Sequence, residues 1–133
     1  MKLKLLFLLA IPFIMSSSFV KAKKGKLTIT YTTVGTNEGY SYVSKMNVYI
    51  DGTLVSTGPE KDQQQKNSFS ITVPQGSHEI KCLLLALYEG KWEERTVDNN
   101  YSFDWTYEGT LEFKKKNTLD LEFNITENKV VVK

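Results

Sequence analysis

The sequence is poor in the residues that most often carry chemistry, with one cysteine, one histidine and one arginine among 133 residues. Cys82 cannot form a disulfide within the chain, so packing has to hold the fold together. Zinc sites need three or four His, Cys or carboxylate ligands, which one histidine and one cysteine do not supply. His78 follows Ser77, but neighbours on a strand point to opposite faces and cannot act as a catalytic pair. We therefore expect no metal, no cofactor and no enzymatic activity.

Long apolar runs are also scarce, and the one that exists lies near the N-terminus. Leu5–Met15 is shorter than the roughly 20 residues of a membrane-spanning helix. Lysines precede this run and small residues follow it, which is typical of a secretory signal. We predict a signal peptide over residues 1–22, cleaved between Ala22 and Lys23, and a secreted or periplasmic mature chain without a membrane span. No cysteine follows the small residues of the leader, so a lipid-anchored N-terminus is not expected.

Positive charge is scarce once the predicted leader is set aside. The leader holds three lysines and no acid, which leaves 14 basic and 15 acidic residues in 23–133. Nucleic-acid binding needs a concentrated basic face. The densest basic runs, Lys23–Lys26 and Lys114–Lys116, are interpreted as solvated surface. The expected partner is a protein or a glycan at the cell envelope or outside the cell, and no nucleic acid.

What the mature chain has in abundance is apolar residues at every other position, which is typical of half-buried strands. The alternation is clear in Leu27–Tyr31, Met46–Ile50 and Phe69–Val73. Asp51-Gly52 follows the second of these and favours a two-residue hairpin of type I′. His78–Tyr88 is apolar on both faces, which indicates a central strand. No stretch shows the 3.6-residue period of a helix.

The last third of the chain continues the pattern. Tyr101–Tyr107 alternates aromatic and polar residues, and it predicts a strand with an aromatic face that ends in a turn at Glu108-Gly109. Three more short strands are predicted at Leu111–Phe113, Leu119–Ile125 and Val130–Val132. The last of them could pair within the chain or add to a partner's sheet. We predict one all-β domain over residues 23–133, an antiparallel immunoglobulin-like β-sandwich of about eight strands.

One part of the chain has a recognisable succession of strands and turns. An apolar strand ends on Asp-Gly at Val48–Gly52, Gly58-Pro59 follows, and Phe69–Ile80 contains an apolar strand, a Pro-Gln-Gly turn and a His-Glu-Ile sequence. This succession, within residues 46–81, resembles the PEGA-type β domain of bacterial envelope proteins. The resemblance implies an accessory β-sandwich with no catalytic residues to carry over.

Aromatic side chains are the candidate ligand contacts, and we single out Trp92, Tyr101 and Trp105. Exposed rings can stack on sugars or anchor a protein partner. The strict alternation of Phe103, Trp105 and Tyr107 indicates instead that these three rings fill the core. Trp92 comes directly after a turn and is the ring expected to be most exposed.

Three functional hypotheses follow. The leading one is a secreted or periplasmic, non-enzymatic β-sandwich that binds another macromolecule or serves as an accessory module. The alternative is a small carbohydrate-binding domain that uses exposed aromatic rings. The third is a small hydrolase that uses Asp98 and Asp104. The Asp98–Asn100 turn could also bind calcium through its oxygens, although such a cluster is ordinary turn chemistry.

Overall fold

The computed structural model describes residues 23–36 and 41–133, so the predicted leader lies outside the described residues. These residues form ten strands and one short 3₁₀ helix, Val97–Asn99, which confirms the predicted all-β sandwich. The strands are β1 (Lys24–Val34), β2 (Val43–Ile50), β3 (Thr53–Thr57), β4 (Lys61–Asp62), β5 (Asn67–Pro74), β6 (Gly76–Tyr88), β7 (Lys91–Glu94), β8 (Thr106–Phe113), β9 (Lys116–Asn124) and β10 (Lys129–Val132).

The strands form two packed sheets. The first has the order β10-β9-β1-β5; the second has the order β3-β2-β6-β7, with β4 paired to β2 and β8 paired to β6. Within the described ranges, every pair is antiparallel except β1 and β9, which are parallel from Lys26 opposite Lys116 to Val34 opposite Asn124. This pair departs from the predicted antiparallel arrangement. Parallel strands need a long connection, and here the chain builds the whole second sheet between them.

The alternating apolar residues form the core between the sheets, as predicted. Leu27, Ile29 and Tyr31 of β1 are at most 2% exposed and pack with residues of both sheets. The Tyr31 ring meets the Phe123 ring edge to face, with 5.9 Å between their centroids. Strand β1 lies between β5 and β9 in the first sheet, and its buried face fixes the register of both neighbours.

Strand β6 is the centre of the second sheet, which confirms the prediction for His78–Tyr88. It pairs with β2 along one edge; β8 and β7 share the other. Its side chains separate into two rows. Cys82 and Leu84 point into the core, whereas Leu83 and Leu85 lie on the opposite face of the sheet. At the far end of the chain, β10 pairs with β9 within the molecule.

Two turns, each an acidic residue followed by glycine, connect strands as hairpins, and the one at Asp51-Gly52 is the hairpin that the sequence predicts. Asp51 and Gly52 have φ of 50° and 84°, and Glu89 and Gly90 have φ of 49° and 79°. Positive φ at both central residues is the requirement of a type I′ turn, which matches the twist of the flanking strands. These turns connect β2 to β3 and β6 to β7.

The prediction for Tyr101–Gly109 is wrong in two respects. Residues 101–105 form a loop, and β8 runs from Thr106 through Glu108-Gly109 to Phe113 without a turn. The loop has a simple cause: β7 occupies the edge of β6 from Leu85 onward, so the returning chain can pair with β6 only up to Leu83. Gly109 has a packing role in the strand, because a Cβ there would lie 2.5 Å from the Tyr107 hydroxyl.

We expect Cys82 to be unreactive in the folded protein. Its side chain is 0% exposed, and burial raises the pKa of the thiol to about 12. The thiolate is the reactive form, so labelling by an aromatic disulfide at neutral pH should proceed only as fast as the molecule unfolds. Rapid and complete labelling without denaturant, at the rate seen in concentrated urea, would show that β6 is not at the centre of the fold.

Candidate functional site

The outer face of the six-stranded sheet, meaning the face turned away from the first sheet, carries an apolar stripe along β6. Leu83 and Leu85 are only 2% and 9% exposed, although neither belongs to the core between the sheets. Polar residues lie opposite both leucines on the neighbouring strands: Asn47 and Thr106 opposite Leu83, and Lys45 and Glu94 opposite Leu85. The outer face therefore has an apolar floor between polar side chains.

A concavity of about 550 Å³ lies on this outer face. We call it the outer-face concavity. Leu83 belongs to its lining, and the charged residues among the described lining residues are three carboxylates and one ammonium group: Glu79, Glu94, Glu108 and Lys81. Lys81 Nζ lies 4.0 Å from Glu108 Oε1, and both side chains are largely exposed, so this ion pair is weak. The concavity is therefore acidic.

The outer face of the first sheet is chemically different. Thr28 and Thr30 of β1 are hydrogen-bonded to Ser70 and Ser68 of β5, at 2.8 and 3.0 Å between hydroxyl oxygens. These side chains satisfy one another across the strands and leave a flat row of hydroxyl groups. The two outer faces of the sandwich therefore differ in chemistry: one has an acidic concavity and the other a row of hydroxyl groups.

Trp92 lies on the outer face of the six-stranded sheet, opposite Leu87, and is half-buried. Lys45 Nζ lies 4.1 Å from the centroid of the Trp92 ring, a cation–π contact. The expectation that Trp92 is the most exposed ring is wrong, because Tyr88 is 45% exposed. Tyr88 is the last residue of β6, directly before the turn at Glu89-Gly90.

Tyr101 and Trp105 come together at a different place from Trp92. Trp105 is 2% exposed and stacks on Phe103 at 5.0 Å and on Phe123 at 5.5 Å, which confirms that Phe103 and Trp105 fill the core. Tyr101 is half-buried, and its hydroxyl donates to Glu93 Oε1 at 2.5 Å. Trp105, one of the three candidate contacts, is therefore a core residue. It also forms part of the lining of a cavity.

That cavity, about 280 Å³ in volume, is lined by Arg95, a residue that sequence reasoning did not select. Arg95 is 3% exposed, and its Cζ lies 3.5 Å from the centroid of the Trp105 ring. We call this cavity the arginine pocket. The one available signal was that the sequence contains a single arginine among many lysines.

Polar side chains of the acidic loop after β7 form hydrogen bonds with the backbone of the loop and of β7. Asp104 Oδ1 accepts a hydrogen bond from the backbone N–H of Val97 at 2.8 Å, and the Asn99 amide donates to the Glu94 carbonyl at 2.7 Å. Asp98 is exposed on the 3₁₀ helix. Among the residues that the structure describes, no three His, Cys, Asp or Glu side chains converge as a metal site would require.

His78 forms an ion pair with a turn residue. His78 Nδ1 lies 2.6 Å from Asp51 Oδ2, and Asp51 Oδ1 accepts the backbone N–H of Glu79 at 3.0 Å. The contact with Asp51 raises the pKa of His78, and the same contact lowers the pKa of Asp51. The pair therefore ties the β2–β3 turn to the start of β6.

These shifts predict a stability maximum in mildly acidic solution. The His78 contribution is complete below its ordinary pKa of 6.5 and is lost as the pH rises through the raised value. The Asp51 contribution is complete above its ordinary pKa of 3.8 and is lost as the pH falls through the lowered value. Melting temperatures from about pH 3 to about pH 9 should peak between these two values. Asp51→Asn keeps a residue that tolerates positive φ, and its profile should be flatter; an unchanged profile would contradict the assignment.

Comparisons with known proteins identify no family. No protein-family model matches the chain, and no curated protein matches it. Among solved structures, the human-specific toxin intermedilysin is 13% identical over 84% of this chain and 23% of the toxin chain, with a TM-score of 0.40. Pneumolysin is 16% identical over 84% of this chain and 24% of its own, with a TM-score of 0.34. The chain spans about a quarter of these toxins, and likeness at this level does not bear on function. The resemblance to PEGA-type domains stays a prediction.

Across residues 23–36 and 41–133, no helix has the length and apolar character needed to cross a bilayer.

Proposed function

We propose that this protein is an exported, non-enzymatic β-sandwich that binds a polypeptide partner at the cell envelope or outside the cell. The observation that supports the proposal best is the outer-face concavity. It places the apolar Leu83 among three glutamates on the exposed side of the central sheet. Interfaces have a polar rim around their centre, and the concavity has such a rim, with Leu83 in its floor.

The charge of the rim points to a partner with basic side chains. Glu79, Glu94 and Glu108 face one ammonium group, that of Lys81. Complementary charge speeds encounter and selects among partners more than it adds affinity. A polypeptide that inserts one side chain into the concavity and places lysine or arginine side chains on the rim would complement both its shape and its charge.

A glycan ligand is the alternative, and it depends on Trp92. The ring lies on the same outer face and is only half-buried. However, Lys45 lies over the Trp92 ring, and Lys81 Nζ lies 5.6 Å from the centroid of the Tyr49 ring. Sugars stack on free ring faces, so both lysines would have to move, and the polypeptide is favoured. Retardation in polysaccharide gels that disappears in Trp92→Ala would establish the glycan instead.

Photocrosslinking in cells that produce the protein tests the proposal directly. A photoreactive residue at Thr110, which lines the outer-face concavity, should give discrete adducts with a polypeptide. The same residue at Thr118, exposed on the other sheet, is the matched control. Adducts at Thr110 and not at Thr118 are expected. Equal yields at both positions, or none at either, would reject the outer face as the binding surface.

Export is tested separately. The mass of the protein recovered from the periplasm or the medium should correspond to a chain that begins at Lys23. Recovery of the full 133-residue chain, confined to the cytosol, would reject the exported location while leaving the architecture intact.

A further inference from the structure

Arg95 is a buried cation held in a fixed position. Its backbone N–H donates to the Leu84 carbonyl at 3.0 Å, and its carbonyl accepts the Trp105 N–H at 2.8 Å. Its Nη1 donates to Gln63 Oε1 at 2.5 Å, whereas its buried Nε has no hydrogen-bond partner. Burial lowers the pKa of Arg95 to about 10, so the guanidinium is charged at neutral pH.

Aromatic rings surround this cation and do not neutralise it. The centroids of the Trp105, Tyr101 and Tyr42 rings lie 3.5, 5.0 and 5.9 Å from Cζ of Arg95. Cation–π contacts are favourable, yet no carboxylate of the described residues lies within 4.0 Å of the guanidinium. Glu93 raises the pKa of Arg95 from a longer distance, and its carboxylate already accepts the Tyr101 hydroxyl. A buried, unpaired charge is costly, and an anion would offset that cost.

The arginine pocket gives such an anion a place to bind. Neutral polar side chains line it next to the cation: Gln63, Asn100, Tyr101 and Ser102. Tyr101 and Ser102 already donate their hydroxyl hydrogens to Glu93 and Asn128, so the guanidinium rather than these hydroxyls is the donor offered to an anion. The pocket is separate from the outer-face concavity, because the described residues that line the two cavities have no member in common. Glu94 lines the concavity, and the next residue, Arg95, lines the pocket.

We propose that the arginine pocket binds a carboxylate group of a small ligand, paired with the guanidinium of Arg95. Charge decides between the common oxyanions. One cation matches one carboxylate, whereas a phosphate dianion would call for a second cation, and the described residues of the lining include no other. Guanidinium donors match carboxylate oxygens in geometry and form strong, charge-assisted hydrogen bonds. This site is independent of the proposed partner surface and can exist without it.

Nuclear magnetic resonance tests the proposal without a substitution, because Arg95 is the only arginine in the sequence. Its Nε–Hε signal is therefore unambiguous in nitrogen-15-labelled mature protein. Sodium acetate should shift this signal in a saturable way, and sodium chloride at equal ionic strength should not. No shift, or the same shift with both salts, would overturn the proposal.

A blocking variant provides the second measurement. Ser102 is exposed and lines the arginine pocket, so Ser102→Phe should fill the entrance and weaken acetate binding at least tenfold, with the Arg95 signal still present. Thr118→Phe on the first sheet is the control and should bind acetate as the unmodified protein does. Unweakened binding in Ser102→Phe would overturn the proposal. Titrations with glucuronate and with N-acetylglycine then distinguish a sugar acid from a peptide C-terminus.

Discussion

Replacing Trp105 by alanine is expected to lower the free energy of unfolding by about 3–5 kcal/mol, the usual cost of removing a large core aromatic. The indole is 2% exposed and stacks on Phe103 and Phe123. Its loss also removes the ring whose centroid lies 3.5 Å from Arg95 Cζ, so a buried cation loses its shortest cation–π contact. Urea denaturation of the mature chain, followed by circular dichroism, measures the effect.

Trp92→Ala is the matched control for that measurement. Trp92 is half-buried on the outer face and keeps contacts with Lys45 and Leu87, so its removal should cost about 1–2 kcal/mol. If Trp92→Ala lowered the free energy of unfolding as much as Trp105→Ala does, the outer face would be buried rather than exposed to solvent. That result would point to a further layer of protein packed on the six-stranded sheet.

The second large effect is expected on partner binding. Substitution of Glu79, Glu94 and Glu108 by glutamine removes the negative rim of the outer-face concavity. Exposed charge pairs contribute about 0.2–1 kcal/mol each, so the three together should weaken binding by roughly tenfold. The crosslinking yield at Thr110 should fall accordingly, and the remaining binding should depend less on salt.

A variant with three neutralised carboxylates elsewhere controls for net charge. Glu60, Asp98 and Asp120 are exposed and lie outside the lining of the concavity. Their substitution by amides should leave the yield at Thr110 unchanged. If both triple variants lower the yield equally, then overall charge rather than the outer face governs binding.

Local sequence patterns predicted most strands and turns, because alternation and turn residues are local properties. Leu27, Ile29 and Tyr31 are buried as the period of two requires, and Asp51-Gly52 forms the turn that its two residues favour. The parallel pairing of β1 and β9 was not predictable in this way. It joins segments at opposite ends of the domain, and their residues carry no mark of strand direction.

The errors have the same origin in tertiary structure. Tyr101–Tyr107 alternates like a strand, but β7 already occupies the edge of β6 that this segment would need. The apolar residues on both faces of β6 showed that the strand is central but not which face meets the other sheet. Arg95 was missed because arginine is almost never fully buried, and only the folded loop shows that Trp105 and Tyr101 surround it.

Carbodiimide labelling of carboxylates in the captured complex tests the central claim most directly. If a partner covers the outer face of the six-stranded sheet, Glu79, Glu94 and Glu108 should be protected in the complex and labelled in the free protein. Asp120, exposed on the first sheet, should be labelled equally in both. Protection of Asp120 with continued labelling of the three glutamates would place the partner on the opposite face and contradict the account.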